Sequence, residues 1–265
     1  MRLKILFSAL ALAWSGAAAA HSFWLQPVEH NPNPRDEVLV EFKVGDAGDV
    51  SDWGLYWERI ASLRIYGESG SRDLQQAVRT TADGEAGTAL VTMRGPGTYV
   101  VAFESNPSFS DLEAERFNRY LDHEGLDAIA AHRKARGTEG QSGTELYARR
   151  AKSLIMVGES PTENVTKPIG QTLEIVPLVN PYGLANGEPL MVQVLWRGEP
   201  LAGASVNSAA LDETGKATTI RTDESGIASV PVARGSTTLV SVVWGVPAPN
   251  DARADYFTIF ASLTF

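Results

Sequence analysis

Short segments that alternate apolar and polar side chains recur along this 265-residue chain, and they constrain its fold more than any other feature. In residues 38–44 a valine or phenylalanine stands at every second position. A period of two is typical of strands that bury one face of a sheet. Turn signals such as Asp83-Gly84 and Gly95-Pro96-Gly97 separate further segments of this kind, which lie at 63–66, 89–93 and 99–103. The pattern therefore predicts a mainly β fold.

The second half of the chain carries about seven such segments, with a turn every 8–12 residues or so, which is typical of a β-sandwich. These segments are 172–179, 190–196, 204–207, 217–221, 227–232, 238–244 and 256–265. A polar stretch that contains Pro161 and Pro168 precedes them and predicts a linker at 161–170. We therefore expect two immunoglobulin-like or prealbumin-like β-sandwich domains, at 21–160 and 171–265.

The strand pattern is interrupted between residues 107 and 150. Ser110 and Glu113 have the spacing of a capping box, and Phe117, Tyr120 and Leu121 follow at helical spacing. Gly125 is predicted to end this helix, and a second helix is predicted from residue 126 to near Gly137. A third, short helix is predicted around 145–149. We interpret 107–150 as a helical insertion in or after the first sandwich.

The N-terminus has the features of a secretory signal. Arg2 and Lys4 precede an apolar run at 5–14, and small residues end at Ala20. This order predicts a signal peptide at 1–20, cleaved to leave His21 as the first residue of the mature chain. No second apolar stretch of about 18 residues follows, so no transmembrane segment is expected in the mature chain. We expect a periplasmic protein.

Composition narrows the function classes. The chain has 32 acidic and 23 basic residues and no cysteine. An acidic surface repels phosphate backbones, so no nucleic-acid partner is expected. The absence of cysteine excludes disulfides, thiolate metal sites and thiol nucleophiles. The sequence contains neither a Gly-x-Ser-x-Gly nor a His-Glu-x-x-His motif, and we expect a protein that is not an enzyme.

His21 is the main candidate metal ligand. As the first mature residue it would offer a free α-amino group and an imidazole nitrogen to one ion. Nitrogen donors of this kind suit Ni²⁺, Co²⁺, Cu²⁺ or Zn²⁺. The alternative is that His21 is a solvated terminus. A tight site needs a further ligand, which could be His30, His123, His132 or a carboxylate; His30 is predicted to lie in an exposed turn and is retained as a second candidate ligand.

Several motifs together resemble a known family. They are the start His21 to Pro27, the segments 117–121, 124–127, 147–154, 173–177 and 180–182, Thr222-Asp223 with Gly226, and the ending 261–265. In combination they are similar to a family of periplasmic proteins described as components of nickel and cobalt uptake, and the second half resembles prealbumin-like domains of carboxypeptidases. The resemblance implies metal handling, a membrane metal transporter as partner, and a histidine near the end of the penultimate strand. This sequence has Trp244 there.

Two other functions remain open. The aromatic residues of the first half, Phe23, Trp24, Trp53, Tyr56 and Trp57, could form part of a surface that binds a protein, peptide or glycan. Such an adhesion or scaffold module would bind no metal. A copper-dependent redox enzyme is the third alternative, and it would require a second histidine facing His21.

Overall fold

The computed structural model describes residues 22–46, 48–80, 82, 84–212, 217–249 and 253–265. The predicted signal peptide at 1–20 and the predicted terminal ligand His21 lie outside these residues. Within the described residues, eighteen strands form three sheets. The prediction of a mainly β fold built from β-sandwiches is confirmed.

The first sheet has five strands in the order β1-β2-β7-β6, with β3 beside β2. Its strands are β1 (Ser22–Pro27), β2 (Glu37–Asp46), β3 (Asp49–Asp52), β6 (Val78–Arg79) and β7 (Thr88–Thr92).

The second sheet has nine strands. They are β4 (Ile60–Gly67), β5 (Gly70–Asp73), β8 (Gly97–Ser105), β9 (Ser108–Leu112), β10 (Gly143–Val157), β14 (Ser205–Ala210), β15 (Thr218–Arg221), β17 (Thr238–Pro247) and β18 (Tyr256–Thr264). The order is β15-β14-β17-β18-β10-β8-β4-β5, with β9 beside β10. Strands from both sides of the predicted linker therefore share one sheet, joined by the parallel pairing of β10 with β18. The predicted boundaries of the two domains stay a prediction.

The third sheet has four strands: β11 (Leu173–Pro177), β12 (Leu190–Trp196), β13 (Glu199–Pro200) and β16 (Ile227–Val230). Two α-helices, α1 (Ala114–His123) and α2 (Asp127–Arg136), lie within the predicted helical insertion. Four short 3₁₀ helices occupy Trp57–Arg59, Gln75–Ala77, Glu163–Thr166 and Pro181–Gly183.

The nine-stranded sheet is the middle layer, and its two faces contribute to different cores. Val101 and Phe103 pack with the five-stranded sheet, whereas Val100, the residue before Val101, packs with the four-stranded sheet. Along β10, Ile155 and Leu154 divide between the two cores in the same way. Successive side chains of a strand point to opposite faces, so the five-stranded and four-stranded sheets cover opposite faces of the middle layer.

The helices cover the same face as the five-stranded sheet, farther along the middle layer. Phe117, Leu121 and Ile129 pack on Phe260 and Tyr256 of β18. Gly137 adopts a left-handed φ of 63° and ends α2 where the sequence predicts it.

Two local predictions within the insertion are wrong. The third helix, around 145–149, is the start of strand β10, because these residues pair with β9 on one side and β18 on the other. The capping box at Ser110 is absent, because residues 108–112 form β9 and the side chain of Glu113 at the N-cap makes no capping hydrogen bond.

Candidate functional site

On one face of the middle layer, a group of polar side chains lies between the five-stranded sheet and the two helices. We call this group the seam: Asp46, His123, Glu124, Glu145 and Arg149. The pattern along β10 locates it. Ala151 packs under the five-stranded sheet and Tyr147 against the helices, so Arg149 lies at the junction between them.

Arg149 has an unusual environment for a cation. Its guanidinium lies over the rings of Phe23, Tyr147 and Phe260, at 5.3, 5.7 and 5.5 Å from the ring centroids. Its Nη1 is buried and has no hydrogen-bond partner among the described residues. Burial lowers the pKa of Arg149, and the three aromatic faces compensate part of the lost hydration.

Glu145 lies on the same face of β10, next to the helices. The Tyr120 hydroxyl of α1 donates a hydrogen bond to Oε2 of Glu145 at 3.1 Å. Burial raises the pKa of the Glu145 carboxyl and the pKa of the Tyr120 hydroxyl. The pair joins α1 to the middle sheet through polar atoms in an otherwise apolar contact.

Glu124 stands at the end of α1 and is 8% exposed. Gly125 follows in the left-handed conformation with φ 65°, and a Cβ there would lie 2.4 Å from the Ser205 hydroxyl, so the chain turns in close contact with β14. Nδ1 of His123 lies 3.0 Å from Oε1 of Glu124. Burial raises the pKa of Glu124 to about 6, the hydrogen bond and charge of His123 oppose that rise, and the charge of Asp46 adds to it.

Asp46 brings the start of the described chain into this group. It is the last residue of β2, and its neighbour Gly45 pairs with Ser22, the first residue of β1. The Ser22 hydroxyl also lies 3.4 Å from the hydroxyl of Ser241 on β17. The chain therefore enters β1 at the Asp46 end of β2, over the middle sheet. His21, one residue before Ser22, lies outside the described residues.

His30 is found in a different setting from the exposed turn that the sequence predicts. It is half-buried, and its Nδ1 lies 2.8 Å from the Leu154 carbonyl oxygen. Tyr182 donates a hydrogen bond to the same oxygen at 2.8 Å. Burial lowers the pKa of His30. Ser22 is the first residue of β1 and His30 lies beyond the other end of this strand, whose six residues span on the order of 17 Å, so the structure does not bring His30 to the seam.

The remaining sequence-predicted residues are distributed as follows. His132 lies 3.2 Å from the Tyr256 hydroxyl, and Trp244 is partly buried against the core between the middle and four-stranded sheets. Phe23, Trp24 and Trp53 are buried, while Tyr56 and Trp57 are exposed. Among the described residues, no group of three or more histidine, aspartate or glutamate side chains has the geometry to hold a metal ion.

Comparison with known proteins gives a family. A family model described as "Domain of unknown function (DUF4198)" matches residues 18–245. The chain belongs to this family. The description of DUF4198 assigns no metal, substrate or reaction, and no curated protein matches the sequence.

A solved structure, the D0-D1 domain of intimin, is similar at 15% identity over 92% of this chain and 97% of that chain. Its TM-score of 0.22 is too low to carry an argument about this DUF4198 chain.

A further observation bears on the membrane. In the part of the chain that the structure describes, neither α-helix has the length and apolar character needed to cross a bilayer.

Sequence reasoning missed most of the seam. The sequence predicts a helix around Glu145 and Arg149, and it gives Tyr120 only a position at helical spacing. One signal was available: Glu145, Tyr147 and Arg149 alternate with Leu146 and Ala148, a period of two that marks one face of a strand. Glu124 carries no such signal, because its burial depends on the contact between the helix end and β14.

Proposed function

We propose that this protein is exported, begins at His21 after cleavage, and binds a divalent transition-metal ion without catalysing a reaction. The expected ions are Ni²⁺ or Co²⁺, with Cu²⁺ as a chemical alternative, and a membrane metal transporter is the expected partner. The observation that carries the proposal is the position of Ser22. It directly follows the predicted terminal ligand and pairs with Gly45, the neighbour of Asp46, whose charge acts on Glu124 of the Glu124–His123 pair.

The seam would offer a suitable set of donors only in combination with His21, since its own side chains do not form a metal site among the described residues. The α-amino group and imidazole of His21 would supply two nitrogen donors, which alone hold a metal weakly. Asp46 and Glu124 offer carboxylate oxygens, and His123 offers a second imidazole nitrogen on an exposed ring. A mixed set of nitrogen and oxygen donors is compatible with Ni²⁺, Co²⁺ and Cu²⁺. A bound cation would also compensate the charge of Glu124, which burial alone makes unfavourable.

The test uses protein exported from cells, whose terminus is first verified by mass spectrometry. Titration calorimetry with Ni²⁺, Co²⁺ and Cu²⁺ should give one ion bound per chain. An additional alanine before His21 should abolish this binding, because it moves the α-amino group away from the imidazole. Glu124→Gln should weaken it by about 10- to 100-fold, the range seen when a group that supports a metal site is removed.

The matched control is Asp122→Asn, which removes an exposed carboxylate two residues from Glu124. It should bind the ion as the parent protein does. Equal binding by the alanine-extended protein would contradict the role of His21. A mature terminus at any other residue would exclude the chelate altogether.

The alternative of an adhesion or scaffold module is favoured by a different observation. Trp57 is 48% exposed and Phe109 is 53% exposed. The side-chain amide of Asn106 donates a hydrogen bond to the Glu58 carbonyl at 2.6 Å, which brings the segments that carry these two rings together. This module would bind a protein, peptide or glycan and show no metal stoichiometry, so the same titrations separate the two functions.

A further inference from the structure

A cavity of about 420 Å³ lies beside the C-terminal end of α2. Two segments distant in sequence form it: the end of α2 with the loop that follows, and the connection between β17 and β18. Arg133 and Arg136 come from the first segment and Arg253 from the second. In a chain with a net charge of −9, three guanidinium groups around one cavity are a local reversal of the charge.

Arg133 is built into the wall of this cavity. It is 2% exposed, and its guanidinium lies over the Phe117 ring at 4.9 Å from the centroid. Its Nε donates to Oδ1 of Asn118 at 3.2 Å, and its Nη2 donates to the Gln141 carbonyl at 2.6 Å. These contacts fix the plane of the guanidinium before any ligand arrives, which reduces the entropy cost of binding.

The cavity is also lined by other polar groups, and only one of those described is a carboxylate. Tyr256 is buried, and its hydroxyl lies 3.2 Å from Nδ1 of His132. Asp255 is the one carboxylate among the described lining residues, and its Oδ2 accepts hydrogen bonds from the Thr144 backbone nitrogen and hydroxyl at 3.0 and 2.6 Å. The carboxylate of Asp255 is thus hydrogen-bonded to Thr144 of β10.

Basic residues in the last turn of a helix have an ordinary explanation, since they interact favourably with the helix dipole. That explanation covers Arg136, which is exposed at the end of α2. It does not cover the burial of Arg133, nor the position of Arg253 on a separate loop. Among the described residues, neither Arg136 nor Arg253 forms an ion pair with a carboxylate.

We propose that this cavity binds a small polyvalent anion through its oxyanion groups, with Arg133 as a fixed donor and Arg136 and Arg253 closing on the ligand. The guanidinium fork matches the geometry of carboxylate and phosphate groups, which share this chemistry. The cavity is large enough for a molecule with several such groups. Its described lining residues include none of the residues proposed to hold the metal ion.

The test is titration calorimetry of metal-free protein with citrate and, separately, with inorganic phosphate, at about 0.15 M salt so that weak surface attraction is screened. Binding of either anion supports the proposal, and the tighter of the two identifies the preferred oxyanion. The double variant Arg136→Gln/Arg253→Gln should weaken binding by at least about tenfold for each arginine, the equivalent of one hydrogen bond to a charged group.

The matched control is Arg94→Gln, which removes an exposed arginine in the connection between β7 and β8. Gly97 follows this arginine and pairs with Val157, whereas Thr144 of the cavity lies at the opposite end of the same strand β10. Arg94→Gln should bind as the parent does, and thermal unfolding should show that all variants fold. The proposal is overturned if neither anion binds, or if the double variant binds as tightly as the parent.

Discussion

His30 shows how one side chain can make stability depend on pH. Its imidazole lies against the Leu154 carbonyl, and its Nε2 is buried with no hydrogen-bond partner among the described residues. Burial lowers the pKa of His30 below 6.5 in the folded chain. Well above pH 6.5 the ring is neutral in both states and contributes no pH dependence. As pH falls through 6.5, the unfolded chain takes up a proton first, so the fold loses stability.

The residue-scale prediction is that His30→Asn removes this dependence. Asparagine keeps an N–H donor for the Leu154 carbonyl and cannot take up a proton. Between about pH 7.5 and pH 5.5 the parent should lose more unfolding free energy than the variant, with a slope of at most about 1.4 kcal/mol per pH unit. Urea unfolding of both proteins at each pH measures the difference. If the parent and the variant lost the same unfolding free energy over this pH range, the folded chain would not keep His30 neutral.

At the scale of elements, Gly143 decides how the helices sit on the sheet. A Cβ at this first residue of β10 would lie 2.2 Å from the Phe117 ring of α1. Its φ is not positive, so the requirement concerns space and not backbone conformation. The ring that occupies this space also stacks on Tyr256 at 5.8 Å and carries Arg133 over its face. Gly143 therefore supports both the helix packing and the wall of the anion cavity.

We expect Gly143→Ala to destabilise the fold by about 1–3 kcal/mol, the usual cost of overpacking a core. The added methyl group must displace Phe117 and with it α1. Gly140→Ala is the matched control, because a Cβ at Gly140 has nothing within 4 Å; it should change stability by less than about 0.5 kcal/mol. Chemical denaturation measures both variants. Equal stability of the two would show that the close contact at Gly143 imposes no constraint.

For the whole molecule, the parallel pairing of β10 with β18 is the structural link that matters most. Nine residue pairs, from Glu145–Tyr256 to Ser153–Thr264, join strands from the two halves of the chain. β18 also pairs with β17 over its whole length. The core between the middle and four-stranded sheets accordingly contains Val100 and Leu154 from the first half beside Val240 and Leu263 from the second.

This arrangement predicts that the two halves unfold together. Calorimetry should give a single transition in which the calorimetric and van't Hoff enthalpies agree. Ala261→Pro, in the middle of β18, should lower the temperature of that single transition. Proline has no backbone N–H and cannot donate a hydrogen bond to the neighbouring strand. Two resolved transitions, of which the variant shifts one, would instead indicate two independent sandwiches.

The sequence by itself determined most of the longer strands, the two helices between residues 107 and 150, and the sandwich class, because alternation and helical spacing are local patterns. It failed at 145–149, where pairing with β9 and β18 decided between helix and strand. Lys152 and Glu174 show the same limit: they form a 2.9 Å ion pair in the interior, with both side chains almost fully buried, yet each looks like an ordinary surface charge in the sequence. Whether a charge is buried, and which charges meet, depends on contacts between strands far apart in the chain. The seam and the anion cavity both arise from such contacts, so only the tertiary structure could reveal them.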